Sequence, residues 1–311
     1  MNKTRLGYCC ISLGEHLSKF RTITLTRAKA LGAEAKDKPY KLWRKEKLFT
    51  IWRHNLQEYV DILHYNLQNN FQVYRISSDL FPLADHEDFL SIWDDFSSDK
   101  ANFNQAYQAT QYVISAGFRL CAHPGQFVSL GSPNDRVREN SIKNLELHAK
   151  IFDLLGLEKT WESPLNIHLS NGKDNIKNLK YFQSSIEKLS ESARSRLIFE
   201  NEDKSFWVWQ NIRKYFENFP VTLDFHHRAI NNLGEQEKEA FDACKSSWGK
   251  FRPLMHISEG KTGKMDRTHH DWVETLPECI LSDGGVDLEI EAKKKDLSVF
   301  KLRKKYAMLV I

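Results

Sequence analysis

The sequence predicts a (β/α)8 barrel, a single domain spanning residues 1–311. Three observations lead there. Eight short runs rich in β-branched and aromatic residues alternate with eight helical patterns. No GxGxxG follows any of the runs, so the usual mark of an open doubly wound sheet is missing. Six of the runs meet a His, Asp or Glu at or near their C-terminal end, and a barrel gathers all such ends on one face. At 311 residues the chain is long for an average domain, and an α/β barrel holds that length in one unit.

The elements follow in order. The first strand-like run is 5–12, and a basic stretch comes after it. The first helix covers 42–68, with Leu48, Ile51, Trp52, Leu56, Tyr59, Val60 and Leu63 at helical spacing. Strand two, 72–77, leads to helix 101–116; strand three, 118–122, leads to helix 138–155. Strand four, 165–170, precedes helix 176–193, and strand five, 196–200, precedes helix 206–218. Strand six, 221–225, is followed by helix 236–246, strand seven, 253–258, by helix 270–276, and strand eight, 285–291, by helix 293–309.

Composition narrows the class. Hydrophobic residues make up 41% and aromatics 12%, enough to fill a large core. A net charge of +4 excludes a histone-like polycation and an acidic disordered chain. The five cysteines are odd in number and lack CxxC spacing, which reads as a reduced, intracellular protein. The apolar run near the N-terminus is too short for a signal peptide, and nothing approaches 18 uninterrupted apolar residues. A cytoplasmic location without a membrane partner is expected. A monomer is the default.

The strand ends carry the chemistry. They read Cys121-Ala122-His123, Asn166-Ile167-His168, Phe199-Glu200-Asn201, Asp224-Phe225-His226-His227, Met255-His256-Ile257 and Glu289-Ile290-Glu291. One histidine at a strand end is most simply a hydrogen-bonded structural residue. Six ionisable residues at equivalent places are not, because carboxylates crowded in a barrel mouth repel one another unless cations join them. Imidazole with carboxylate suits Zn²⁺, Mn²⁺ or Fe²⁺, whereas Ca²⁺ prefers oxygen alone. Spacing alone leaves His226 and His227 as alternatives, and likewise His269 and His270. The supply of ligands fits two or three ions, with Glu200 as a bridge. Such clusters hydrolyse phosphodiesters. No GxSxG elbow and no glycine-rich phosphate loop is present, so neither a serine nucleophile nor a nucleotide cofactor is expected.

These motifs resemble the UV damage endonuclease family (UVDE, UvsE in bacteria), whose barrel is similar to that of endonuclease IV. The resemblance runs through Arg5-Leu6-Gly7-Tyr8, Tyr74-Arg75-Ile76-Ser77-Ser78, Phe81-Pro82-Leu83 and His123-Pro124-Gly125-Gln126-Phe127. It continues through Asn166-Ile167-His168, Glu200-Asn201-Glu202-Asp203-Lys204, Asp224-Phe225-His226-His227, His256-Ile257-Ser258, His269-His270-Asp271 and Ile290-Glu291-Ala292-Lys293. It implies a metal-dependent enzyme that nicks double-stranded DNA immediately 5′ to cyclobutane dimers and 6-4 products, leaves a 3′-hydroxyl and starts excision repair. By motif the metal ligands fall on His123, His168, Glu200, Asp224, His227, His256, His269 and Glu291, with Glu200, His123 and His256 at the catalytic centre. Manganese is the metal most associated with the family, with zinc or magnesium as alternatives. Lesion-probing roles fall on Tyr8, Gln126 and Phe127; an aromatic or amide wedge can replace bases that have been flipped out. Leu254 departs from the pattern, standing where many members have a lysine, and Ser12 stands where some have an asparagine. The rival readings are an abasic-site endonuclease of the endonuclease IV type, a metal-dependent sugar isomerase on the same fold, and a damage-binding protein that has lost catalysis.

Charge is unevenly spread. Residues 19–47 carry ten Lys or Arg against three acids, and 293–305 carry seven against one, which leaves the rest at −9. The first block follows strand one on the catalytic face and fits the phosphate backbone. The second reads as a solvated helix face.

Overall fold

The computed structural model describes residues 3–31, 40–125, 127–169, 176–204 and 206–311. Eight parallel strands form one sheet: β1 (Arg5–Cys10), β2 (Val73–Ile76), β3 (Arg119–Ala122), β4 (Leu165–His168), β5 (Leu197–Glu200), β6 (Val221–Thr222), β7 (Leu254–Ile257) and β8 (Asp287–Ile290). The neighbour order is β6-β5-β4-β3-β2-β1-β8-β7, so the last strands return beside the first. The seam between β6 and β7 is stitched by a bridge between Asp224 and His256 and by the His256 N–H, which donates to the Leu223 carbonyl at 3.0 Å. The expected (β/α)8 barrel is therefore present and nearly closed, and its thinnest seam carries two of the predicted ligands.

The strands lie against apolar helix faces. Helix Tyr40–Asn69 buries Leu48, Trp52, Leu56, Tyr59 and Leu63, the positions its periodicity picks out. Trp52 packs edge-on to Trp93 and Phe96, and its indole N–H donates to the Pro82 carbonyl at 3.1 Å. Where β1 crosses β2 there is no room for a side chain: a Cβ on Gly7 would lie 1.9 Å from the Val73 carbonyl oxygen. At the N-terminal end of the barrel, fully buried Asp287 receives three arginines. Arg5 binds both of its oxygens at 2.5 Å, Arg252 Nε donates at 2.7 Å and Arg119 Nη1 at 3.0 Å.

Three element expectations need correction. Residues 270–276 are not helical; the helix here is Glu278–Asp283, directly after Pro277. Proline disfavours helical backbone in the residue before it and presets φ for a helix start, so the turn forms downstream. Strand six is shorter than 221–225, because Asp224 caps a helix at Phe225–Ile230, its side chain accepting the His227 N–H at 2.7 Å. Segment 176–193 splits into Leu179–Lys188 and Glu191–Arg194, with extended Leu189 between them and Ser190 capping the second helix.

Candidate metal centre

Glu200 ends β5 inside the barrel mouth and is 1% exposed. Imidazoles reach it from three other strand ends. His123 Nε2 lies 3.1 Å from its Oε2, His256 Nδ1 lies 3.1 Å from the same oxygen, and His227 Nδ1 lies 3.3 Å from Oε1. Asn166, two residues before the end of β4, donates its amide N–H to Glu200 Oε2. The His168 ring sits 4.8 Å from that of His123 and 5.7 Å from that of His227, centroid to centroid. Asp224 Oδ2 is 3.9 Å from His227 Nδ1. On the far side, Glu291 Oε1 is 3.5 Å from His256 Nδ1, and its Oε2 is 3.8 Å from His269 Nδ1. All eight residues picked as ligands thus fall in one cluster.

Local structure separates the paired histidines in space. Helix Phe225–Ile230 turns His227 back toward Glu200, whereas His226 Nε2 meets the Asp266 carbonyl oxygen at 2.8 Å. After β7, a bridge between Gly260 and His269 folds the chain back and brings His269 to Glu291. His270 instead accepts the Trp272 N–H at its Nδ1.

The cluster's charges are mutually dependent. Burial drives Glu200 upward, but the charges of His256 and His168, with hydrogen bonds from His123 and His227, outweigh it and hold Glu200 well below the carboxylate range. Burial pushes His256 and His227 down, yet the facing carboxylates raise both well above the usual histidine range. His168 is lifted to about 9 by Glu200 and Glu202 against the same burial. Asp224 is raised by burial, reinforced by Glu200 and Glu291. Without cations, the buried carboxylates favour the protonated forms of His168, His227 and His256; divalent ions would balance the same charge directly. The donor set fits that use. Asp224 Oδ2 is buried and accepts no hydrogen bond, and neither ring nitrogen of fully buried His256 makes one of proper geometry. Among the described residues, His123, His168 and Glu200 form one group able to hold an ion, and Glu200, Asp224 and His227 form a second sharing that carboxylate.

Supporting residues escaped the sequence reading. Glu202 Oε1 accepts the Leu169 N–H at 2.8 Å and stands 3.4 Å from His168 Nδ1. Asn201 grips the Asp224 backbone, accepting its N–H at 2.8 Å and donating to its carbonyl at 3.1 Å. Arg75 and Glu289 lie beneath the cluster. Glu289 precedes Glu291 by two residues, the same-face interval of a strand, and that spacing is a signal the sequence carries.

The three lesion-probing expectations fare differently. Tyr8 is fully buried: its hydroxyl donates to Asn66 Oδ1 at 2.6 Å, and its ring packs on Phe71 and Tyr74. Gln126 lies outside the described residues. Phe127, four residues beyond the His123 ligand position, is 85% exposed. Leu254 begins β7 in an apolar layer with Val73, Cys121, Ile198 and Trp248, where its side chain fills space.

The basic stretch is partly committed. Within it Lys29 and Lys45 pair with Asp88 and Asp95, while Lys19 and Arg21 are exposed on the segment after β1. Residues 32–39 lie outside the described part. In the C-terminal block, Lys301 pairs with Glu274, and Arg303 donates to the carbonyls of Asn69 and Asn70. No helix among the described residues is long and apolar enough to cross a membrane.

Comparison with known proteins agrees with the motifs. A UV DNA damage endonuclease from Nostoc sp. (strain PCC 7120) is 32% identical over 313 residues, covering 97% of this chain and 90% of that protein. The crystal structure of SacUVDE superposes with a TM-score of 0.82 at 27% identity, covering 98% of this chain and all of the other. Endonuclease IV from Thermus thermophilus shares the fold, with a TM-score of 0.53 at 14% identity over 80% of this chain and 93% of that one. Residues 4–310 match the UV-endonuclease UvdE family. The chain belongs to that family, and it is a nuclease built on a (β/α)8 barrel.

Proposed function

We propose that the chain nicks double-stranded DNA immediately 5′ to UV photoproducts, cyclobutane dimers and 6-4 products alike, and leaves a 3′-hydroxyl for excision repair. The observation that carries this reading is Glu200, a buried carboxylate met by three imidazoles at 3.1–3.3 Å. His123, His168, Glu200, Asp224, His227, His256, His269 and Glu291 hold two or three divalent cations, with manganese first and zinc or magnesium as alternatives. Cations held there would supply Lewis-acid activation of a phosphoryl oxygen and of water, and charge stabilisation of the leaving oxygen.

The chain's own groups position the reaction. Asn166 fixes the Glu200 carboxylate, and Asn201 fixes the Asp224 backbone. Glu202 orients His168. Phe127 stands where a wedge into the duplex can fill the space of displaced bases. Lys19 and Arg21, with the rest of the basic segment after β1, contact phosphates and keep the scissile strand over the mouth. The chain works as a monomer, since the mouth must stay open to a duplex. A family match over residues 4–310 and the exposed aromatic favour lesion cleavage over sugar isomerisation or abasic-site cleavage.

The test is chelation and repair of the site. Protein stripped of metal should not nick irradiated duplex, and added Mn²⁺ should restore nicking. Glu200→Gln should lose nicking even with Mn²⁺ while still binding damaged DNA. Full activity in stripped protein, or in Glu200→Gln, contradicts the reading.

A further inference from the structure

We propose that Glu289 and Arg75 are positioning residues beneath the metal centre: once metal is bound, Glu289 takes the Nε2–H of His256, whose ring nitrogens make no well-aligned hydrogen bond in the structure, so that Nδ1 is the ligand atom, and Arg75 ties Glu289 to Glu291. The inference rests on the metal-binding reading of the mouth and deepens it.

The residues are stacked by the strand itself. Side chains two apart share a face, so Asp287, Glu289 and Glu291 climb one side of β8 and its end. Asp287 is spent on three arginines at the floor. Glu291 reaches the cluster at the mouth. Glu289 lies between them, fully buried, where an unpaired carboxylate would be strongly disfavoured. Its partners are specific. Arg75 Nε stands 2.7 Å from Glu289 Oε1, and Arg75 Nη1 stands 2.6 Å from Glu291 Oε1. One guanidinium therefore spans both carboxylates, which a lysine's single ammonium cannot do with the same planar fork. The remaining oxygen of Glu289 faces His256 Nε2 at 3.3 Å and the Cys121 thiol at 3.5 Å.

An imidazole has two nitrogens, and their duties are complementary. His256 Nδ1 is directed at Glu200 Oε2, 3.1 Å away, and Glu291 Oε1, 3.5 Å away. If Nε2 keeps its proton for Glu289, Nδ1 presents a lone pair to the space those two carboxylates define. Metal-ligating histidines regularly donate their other N–H to a carboxylate, which fixes both tautomer and ring plane.

A competing reading would make Glu289 a ligand, because it, His256 and Glu291 also offer atoms within 4.8 Å of one another. Two observations oppose that. Both Glu289 oxygens are already faced from within, Oε1 by Arg75 and Oε2 by His256 and the Cys121 thiol, whereas Glu291 keeps its Oε2 on the His269 side of the mouth. The Glu289 contact also uses the nitrogen of His256 that does not face Glu200.

The experiment uses the whole chain and Zn²⁺ alone, a diamagnetic probe. Nitrogen-15 NMR of the Zn²⁺-loaded wild type should find the His256 proton on Nε2. Titration calorimetry should give the same number of Zn²⁺ ions for Glu289→Gln as for wild type, with affinity lower by about ten- to hundredfold. One ion fewer in Glu289→Gln would make Glu289 a ligand and overturn the proposal. A proton on Nδ1 in the wild type, or unchanged affinity with only a lower melting temperature, would also overturn it. A wild type that binds no Zn²⁺ at all removes the metal reading, and the positioning role falls with it.

Discussion

His168 carries a test of whether the mouth trades protons for metal. Its pKa is lifted to about 9 by Glu200 and Glu202, so in metal-free protein it is protonated at neutral pH. His227 and His256 are raised for the same reason. A metal ion must displace those protons, so apparent affinity should climb as pH rises toward 9 and fall as pH drops below neutrality. Calorimetry at pH 7 in buffers of different ionisation enthalpy should register proton release on Mn²⁺ binding; no release would contradict the ligand assignment. Phe127 offers a different check. Truncation to Ala should weaken the preference for damaged over undamaged duplex by about tenfold, on the order of one stacked base lost, with little change in binding to undamaged DNA. Competition binding with irradiated and plain duplexes measures this, and an unchanged preference would return Phe127 to a structural role. Most positions of the cluster could be read from the sequence because a barrel strand must end at the mouth, and His or Glu there has one place to go. Tyr8 could not be read that way, since nothing in a single strand distinguishes its outer face from its inner one. Glu289 was legible by its spacing from Glu291, but its duty depends on Arg75, which comes from β2.

Strands were easier to foresee than the segments joining them. The runs at β1 to β5, β7 and β8 announce themselves by composition, and their parallel order follows from helices between them. Segment 270–276 misled because its apolar residues mimic helical spacing while Pro277 disfavours helix before it. Strand six misled because a capping Asp224 ends it early, and the same cap aims His227. The barrel floor shows what elements need besides apolar packing. Asp287 gathers Arg5, Arg119 and Arg252 from β1, β3 and the segment before β7, far from the mouth, at the face of such barrels that serves stability. Removing it leaves buried guanidinium charge without its partner. Asp287→Ala should therefore destabilise the fold by about 3–5 kcal/mol, read as a lower denaturant midpoint. An unchanged midpoint would mean that the arginines are satisfied by backbone carbonyls alone, several of which they also reach.

For the molecule as a whole, a near-neutral total hides a division of labour. Lys19 and Arg21 of the basic stretch are exposed on the segment that follows the C-terminal end of β1. The C-terminal block looks alike by charge count, but Lys301 and Arg303 are engaged with Glu274 and with backbone carbonyls. Charge counting finds both blocks; only packing separates the exposed Lys19 and Arg21 from the engaged Lys301 and Arg303. A barrel whose mouth gathers eight candidate nitrogen and oxygen ligands, beside exposed basic side chains and an exposed aromatic, suits cleavage of a distorted duplex. The direct test is to map cleavage in end-labelled duplexes that are irradiated, abasic or undamaged, each incubated with the protein and Mn²⁺. The expected result is a single nick immediately 5′ to the photoproduct, bearing a 3′-hydroxyl, with the undamaged duplex intact. Cleavage confined to the abasic duplex, or none at either lesion, would contradict it.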